Sequence, residues 1–341
     1  MSTSDRLYLE DACPTLQRLL QSLVDEPGAK LDDSDFLDFE VAFSTAMEGA
    51  GETLKLKVTY EFLANVLEHG SKELLEQVWA GLPLRFAPVS ASELEVVLNT
   101  DALAENQDLA RRCVQQVATT RIWLLVGPLV APLRWLREAV ATGDKAAAAA
   151  PQNAQQARKD AMGQPPAPVV LHVRQQETCC IVPKEDRILV ILSIHLEDDV
   201  DVALGRAFCQ EFAETNRKGN EFSLPCSFHE AKDKDMLSNL RGLNVSTNPN
   251  VGWLTLTLTD QHVRGATEER LWALARPVMT FRNFFLFHLK HTKSYLHSRL
   301  RKRLDHWQQQ ISKARRRRAQ EKRRLISGKE FVPPSRSTGA V

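Results

Sequence analysis

The sequence predicts an α+β fold: two tandem α/β-sandwich-like domains of similar topology, with antiparallel-rich sheets and packed helices, followed by a long C-terminal helix. Alternating and helical hydrophobic patterns occur in the same order in both halves of the chain. A length of 341 residues, 43% of them apolar, is enough for about two domains with their own cores. A further helical pattern then fills most of the C-terminal part.

The first half starts with strand patterns and ends in a helix. Residues 36–44 alternate between two faces and predict one strand, and residues 54–59 predict the next. Apolar residues at helical spacing between Phe62 and Val78, with a break at Gly70, predict a helix. The remaining predicted elements of this half are two short strands and a long helix: Leu84–Val89, Leu94–Leu98 and Leu109–Val140.

The second half repeats this order, although no residue-level repeat is visible. The run ILVILSI within Arg187–Leu196 is continuous in apolar residues, as expected of a strand buried on both faces. Val202–Glu214 has apolar residues on one helical stripe and predicts a helix, with the acidic turn Asp198–Asp201 before it. The other predicted strands are Val169–Val173, Cys179–Pro183, Phe222–His229 and Val251–Thr259.

Composition sets the expected boundaries between these parts. The first 34 residues are acid-rich with one short amphipathic stretch, so we expect a loosely attached arm. An Ala-, Gln- and Pro-rich stretch between the halves is typical of a linker or loop insertion. The predicted division is an arm 1–34, a first α+β domain 35–140, a linker or insertion 141–168, a second α+β domain 169–262, a C-terminal helix 263–326 and a tail 327–341.

The terminal helix carries an apolar stripe with an 11-residue repeat that passes through Arg303. A helix continuous from Pro277 to Ile326 would be roughly 75 Å long. Its own domain could cover only about half of that length. One interpretation packs it on its own sheet with a solvated end, and the preferred one pairs its far part with a helix of another chain. Pro277 either begins the helix or kinks one begun near Glu268. The predicted partner-helix interface is Phe281, Phe285, Leu289, Leu296, Leu300, Trp307 and Ile311.

Charge is distributed unevenly along the chain. Residues 299–324 contain 12 Lys or Arg and 2 acids, although the net charge of the whole chain is +1. So basic an end on a mildly acidic body indicates an acidic partner surface, which could be protein, a phosphate polymer or anionic lipid.

Motifs for catalysis, cofactors and metals are missing from the sequence. It contains no phosphate loop, dinucleotide-binding turn, zinc-protease motif or nucleophile elbow. His288, His291 and His297 have no cysteine or carboxylate cluster nearby and are expected to be solvated. Without C-x-x-C spacing, a signal peptide or a membrane span, we expect reduced thiols in a soluble, intracellular protein. An enzyme is disfavoured, and no cofactor is predicted.

Several stretches together resemble one known family. They are EDRILVILSIHLEDDVDVALGRAFCQEFAE, PNVGWLTLTL, TFRNFFLFHLKHTKSYLHSRLRKR, DFLDFEVAF, YEFLANVLEHGSKELLEQVW and ARRCV. On these residues the chain is identified as similar to the family of subunit 2, the large lattice subunit, of the actin-related protein 2/3 complex. The resemblance covers roughly residues 34–317 with gaps. This chain departs from the family in its arginine run ARRRRAQEKRR, where the family often has a proline.

The resemblance implies a non-catalytic, actin-binding scaffold of the cytoplasmic actin cytoskeleton. Its long helix would pack antiparallel with that of subunit 4, the small lattice subunit, and this heterodimer core would carry the two actin-related proteins and the remaining subunits. It would also contact the mother filament from which a branch grows. Membrane insertion and nucleic acid are not expected. By matching position, the filament-facing candidates are Arg217, Lys218, Arg299, Arg301, Lys313, Arg315 and Arg316.

Two other interpretations stay open at this point. A nucleic-acid-binding or nuclear-targeted protein could use the arginines of residues 315–324, because arginine runs bind phosphate. Against it, the helix offers few aromatic residues after Trp307 on which bases could stack. Alternatively, the chain is a scaffold of another kind with a solubilising tail.

Overall fold

The structure is a computed structural model of the chain, and the description below covers part of its length. The described residues are 12–25, 36–38, 41–48, 53–99, 106–149, 163–174, 177–196, 198–217, 224–230, 233–245 and 251–314. By its internal contacts the chain divides into two units, Met1–His291 and Thr292–Val341.

Two five-stranded antiparallel sheets lie in the first unit and have the same strand order. The first sheet runs β1-β2-β3-β5-β4, and the second runs β6-β7-β8-β10-β9. The repeated order confirms the predicted fold class of two similar halves. The strands are β1 Phe36–Asp38, β2 Val41–Glu48, β3 Thr53–Thr59, β4 Leu84–Pro88, β5 Glu93–Asn99, β6 Val169–Arg174, β7 Glu177–Pro183, β8 Arg187–His195, β9 Cys226–His229 and β10 Val251–Thr259.

Nine helices occur among the described residues. They are α1 Pro14–Asp25, α2 Leu63–Val66, α3 Lys72–Val78, α4 Gln107–Ala118, α5 Thr120–Ala149, α6 Asp199–Arg217, α7 Lys234–Asn239, α8 Asp260–Val263 and α9 Glu268–Ala314. A kinked segment, Leu67–Ser71, joins α2 to α3, and its residues His69 and Gly70 have non-helical backbone angles. The short α7 was not predicted.

Strand β8 is buried on both faces, as its continuous apolar run predicted. Val190 and Leu192 belong to the main core, whereas Ile191 belongs to a smaller cluster on the opposite face. The same alternation places Cys179 of β7 in the main core and Cys180 in the small cluster. Both cysteines are therefore packing residues of the second sheet.

The N-terminal arm differs from the prediction. Leu16 and Leu20 of α1 are each only 1% exposed and belong to the main core. The backbone N–H of Cys13 donates to the carbonyl of Ala118 at 2.9 Å. The prediction of a loosely attached arm is wrong for α1, because its apolar face finds a partner about a hundred residues away. Residues 1–11 and 26–35 lie outside the described part.

The first strand pattern also divides. Within residues 36–44, predicted as one strand, Phe36–Asp38 form β1 and residues 41–44 belong to β2, and the two strands pair antiparallel with Phe36 opposite Phe43. Side chains alternate between the two faces with a period of two in every strand. A continuous alternation in the sequence therefore fits one long strand as well as two paired strands.

The long helix predicted at Leu109–Val140 is two helices in the structure. Helices α4 and α5 meet at Thr119 with a bend of 64°. The Thr119 and Thr120 hydroxyls donate to carbonyls of the preceding turn, Gln115 at 2.9 Å and Val117 at 2.7 Å. Helix α5 then continues nine residues past Val140, into the segment predicted as a linker. The prolines inside α5 do not end it.

No single helix among the described residues combines the length and apolar character needed to cross a bilayer. Helices α4 and α5 have that length and character only when taken together, and the pair is bent by 64°.

A close approach of two helical segments requires glycine. Gly70 has a φ of +92°, which breaks the helix between Phe62 and Val78 as predicted. A Cβ on Gly127 of α5 would lie 2.4 Å from the Ser71 Cα, so no larger residue fits there. The buried Ser71 hydroxyl donates to the Leu124 carbonyl at 2.6 Å.

The start of α9 is anchored by ion pairs from α5. Glu268 accepts from Arg134 Nε at 2.8 Å and lies 2.9 Å from Arg137 Nη2. Helix α9 begins at Glu268, so Pro277 lies inside it, as one of the two sequence alternatives had it. Further along, buried Arg282 pairs with Glu177 at the start of β7.

Candidate protein–protein interface

The described part of the second unit is the end of α9, residues 292–314, and an exposed apolar stripe runs along it. At about 100° per residue, the side chains of the stripe fall within roughly 80° of the helix circumference. Its members are Leu296 (41% exposed), Leu300 (55%), Leu304 (61%), Trp307 (68%) and Ile311 (45%). We call these five residues the apolar stripe. Contiguous exposed apolar surface marks protein–protein or membrane interaction sites, and the stripe is therefore a candidate interface.

Three residues assigned to this interface from the sequence lie elsewhere. Phe281, Phe285 and Leu289 are buried in the main core of the first unit. Phe285 packs edge-on against Phe208 of α6 with ring centroids 5.3 Å apart, and Phe281 packs on Phe212 at the same distance. Their assignment to a partner helix is corrected, because their own chain already covers them.

Leu304 is the residue of the apolar stripe that the sequence prediction missed. The predicted series passed through Arg303, which lies at the edge of the stripe. Leu304 follows Leu300 by one turn, so the i, i+4 spacing alone would have identified it.

Basic side chains surround the stripe. Six Lys or Arg and one acid occur between Thr292 and Lys313. Among the predicted filament-facing residues, Arg299, Arg301 and Lys313 are exposed. Arg299 and Arg301 each lie about 60° outside the stripe, on opposite sides of it. Arg299 donates to the Tyr295 hydroxyl at 3.3 Å and lies over the Tyr295 ring, 5.6 Å from its centroid.

The other predicted filament-facing residues are not described in full. Arg217 is the last residue of α6, and its side chain lies outside the described part. Lys218, Arg315 and Arg316 lie outside the described residues altogether, so their role stays a prediction.

The histidines of α9 form no metal site in the described part of the chain. His288, expected to be solvated, is instead half-buried and stacks on Phe208 with centroids 5.9 Å apart. Burial, and to a lesser extent repulsion from His291, lower the pKa of His288 below its ordinary value of 6.5. His291 and His297 are exposed, as predicted.

The thiols offer no reactive centre. None of the six cysteines forms a disulfide, and all six are buried. Burial raises the pKa of Cys180 to about 11 and that of Cys113 also to about 11. Both are therefore protonated at neutral pH and are poor nucleophiles or metal ligands.

These features define an α+β protein with two antiparallel sheets of the same strand order and a long C-terminal helix that exposes an apolar stripe. The family model described as "Arp2/3 complex, 34 kD subunit p34-Arc" matches residues 56–318, and the chain belongs to this family. The match confirms the family resemblance found in the sequence.

Two curated relatives bear the name actin-related protein 2/3 complex subunit 2. The chain is 24% identical over 304 residues to the protein of Schizosaccharomyces pombe, covering 88% of this chain and 91% of the relative. It is also 24% identical over 307 residues to that of Dictyostelium discoideum, covering 89% of this chain and 92% of the relative. The similarity therefore extends over nearly the full length of both relatives.

Proposed function

We propose that the chain is a non-catalytic scaffold subunit of an actin-related protein 2/3 complex, and that it supports nucleation of branched actin filaments. The observation that carries the proposal is the apolar stripe, five large apolar side chains exposed on one face of one helix. Membership of the 34 kD subunit family supplies the kind of assembly in which the stripe would be covered.

The partner proposed for the stripe is the long helix of subunit 4. Full burial of an exposed Leu or Ile side chain contributes about 1.5–3 kcal/mol. The Leu and Ile side chains of the stripe are 41–61% exposed, so covering each of them would contribute part of that amount. The five residues face one direction, so a single antiparallel helix can cover them all. Trp307, the largest and most exposed of them, would be the strongest single contact, because tryptophan dominates binding energy at protein interfaces.

Actin-filament contact is proposed for the basic residues Arg299, Arg301 and Lys313. The surface of an actin filament is acidic, so exposed cations outside the stripe gain attraction when that surface approaches. The heterodimer would also carry the two actin-related proteins and the remaining subunits, in the cytoplasm and the actin cytoskeleton. No cofactor enters this function. The nucleic-acid alternative rests on residues 315–324, which lie outside the described part.

Co-expression with subunit 4 tests the proposal. The chain alone should aggregate, because the apolar stripe is uncovered, and co-expression should keep it in solution. Leu296→Asp with Leu300→Asp should abolish co-purification, because each buried carboxylate would cost roughly 2 kcal/mol or more.

The matched control adds two acids to the opposite face of the same helix. Ser298→Asp with Gln309→Asp changes the charge equally but should leave co-purification at the wild-type level. If the stripe variant co-purifies as well as this control, the stripe does not bind subunit 4.

A further inference from the structure

A groove of about 600 Å³ opens on the face of the second sheet that α7 covers. Its floor contains Leu189 and Met236, and Ser227 and His229 of β9 line its wall. A groove of this volume is the size of a small-molecule site.

Ser227, His229 and Asp233 form a continuous hydrogen-bonded chain beside this groove. Ser227 Oγ lies 2.9 Å from His229 Nε2, and His229 Nδ1 lies 2.9 Å from Asp233 Oδ2. Ser227 and His229 are two residues apart in one strand, so they share a face of the sheet. Asp233 is held in place because its other oxygen, Oδ1, accepts from the Met236 N–H at 3.2 Å.

The chain of hydrogen bonds determines the tautomer of His229. An ionised carboxylate only accepts hydrogen bonds, so His229 Nδ1 must carry the proton and donate to Asp233. In the neutral imidazole the lone pair is then on Nε2, which accepts the Ser227 hydroxyl proton. This is the arrangement in which a histidine acts as general base for a serine nucleophile, and it is recognised by geometry and not by sequence order.

We propose that Ser227 is an activated nucleophile that is acylated by small neutral carboxylic esters. Ser227 Oγ attacks the ester carbonyl carbon as its proton moves to His229 Nε2. The Oγ–carbon bond forms, the bond from that carbon to the leaving oxygen breaks, and His229 returns the proton to the departing alcohol or phenol. No oxidant or other co-reactant is needed.

The lining of the groove favours a neutral ester over a charged one. The apolar side chains of Leu189 and Met236 can hold an acyl chain. Charged groups at the β7–β8 turn balance each other, and Arg187 Nε lies 3.0 Å from Asp186 Oδ1. The four charged residues that line the groove are Lys184, Glu185, Asp186 and Arg187.

The test treats the full-length chain, co-expressed with its complex partners, with p-nitrophenyl acetate and follows acylation by peptide mapping. Ser90 is the internal control, an exposed serine whose Oγ accepts from the backbone N–H groups of Ser92 and Glu93. Ser227 should be acylated about 100-fold faster than Ser90, the typical contribution of a general base.

Two variants test whether Ser227 reacts because His229 activates it or only because it is exposed. His229→Gln should lower the acylation rate of Ser227 about 100-fold. Asp233→Asn keeps the cap of α7, because asparagine caps helices as well as aspartate does. Its amide N–H would face His229 Nδ1 and drive the proton to Nε2, which could then no longer accept from Ser227. The rate should fall at least about tenfold while the thermal unfolding midpoint is unchanged.

Two results would overturn the proposal. One is acylation of Ser227 no faster than that of Ser90 in the wild-type chain. The other is a rate at Ser227 that His229→Gln leaves unchanged. Ser90→Ala should have no effect on Ser227 in any of these samples.

Discussion

The two parts of α9 on either side of His291 carry similar apolar spacing and have opposite surroundings. In residues 268–291 one face of the helix is buried in the chain's own core, with Phe285 at 0% exposure, although Phe287 on another face is exposed. In residues 292–313 the side chains of the apolar stripe are all exposed, Leu300 at 55%. The apolar stripe of a helix therefore shows which face will be buried. Whether that face is buried within its own chain depends on what the rest of the chain packs against it.

The residue types of the two parts differ in a way that fits this contrast. The buried part uses Phe281, Phe284 and Phe285, which interlock with the aromatic rings of α6. The exposed part uses leucines that are interspersed with arginines and lysines. We infer that the first part stabilises the fold and the second part is reserved for assembly.

The largest expected effect separates the two parts by unfolding free energy. Phe285→Ala should lower the free energy of unfolding by about 3–5 kcal/mol, because it leaves a cavity in a packed core. Leu300→Ala should change it by no more than about 0.5 kcal/mol, because the side chain is exposed.

Pulse proteolysis in urea, on the chain diluted until it is monomeric, measures both values. Equal losses from the two variants would mean that Leu300 is covered by its own chain, and the contrast between the two parts of α9 would fail.

The elements that could be predicted from the sequence are those whose hydrophobic pattern lies within the element itself. Strand β10 was predicted with its observed bounds, Val251–Thr259, because apolar and polar residues alternate with a period of two along the whole strand. No glycine or proline lies at Thr119, so no residue typical of a helix end predicts the break between α4 and α5 there. The packing of α1 depends on a contact with Ala118, far along the chain. Long-range packing of this kind has no local pattern.

The candidate sites divide in the same way. The exposed stripe follows from helical spacing, but spacing could not show that burial ends after Leu289. The shared face of Ser227 and His229 follows from strand alternation. The position of Asp233 could not be predicted, because it depends on the turn into α7, which the sequence pattern did not reveal.

An effect of intermediate size on the free energy of unfolding is expected from the ion pairs at the start of α9, and this effect should depend on pH. Burial raises the pKa of Glu268, but hydrogen bonds and charges from Arg134 and Arg137 outweigh it, so its pKa lies below the ordinary value of 4.5. A lowered folded-state pKa contributes stability that is present above pH 4.5 and is lost as the pH falls through the folded-state value.

Glu268→Gln should remove this contribution, at most about 1 kcal/mol at pH 7 because the carboxylate is partly exposed. Urea unfolding at pH 7 and at pH 3 measures it, and the difference between wild type and variant should shrink at the lower pH. Gln309→Glu, in the exposed part of α9, serves as the control and should show no such loss at pH 7. A Glu268→Gln variant as stable as wild type at pH 7 would mean that these ion pairs do not anchor α9.

The smallest effect per residue is expected for filament contact. Reversing Arg299, Arg301, Arg217 and Lys218 to glutamate should lower branch density while leaving the complex intact, because the first two lie outside the apolar stripe. Exposed ion pairs contribute only ~0.2–1 kcal/mol each, so single reversals should show little and the four together a clear loss. Salt screens such contacts, so the difference from wild type should be larger at low ionic strength than at high.

Arg111 and Arg112 of α4 provide the control, because both are exposed and reversing them changes the charge on a different helix. That variant should branch at the wild-type level at both ionic strengths. Because salt weakens filament binding but not the apolar stripe, co-purification with subunit 4 should be unchanged in the fourfold variant at either ionic strength. If the fourfold variant branches normally at both, the basic side chains do not contact actin. Within residues 292–313, only the apolar stripe would then take part in assembly.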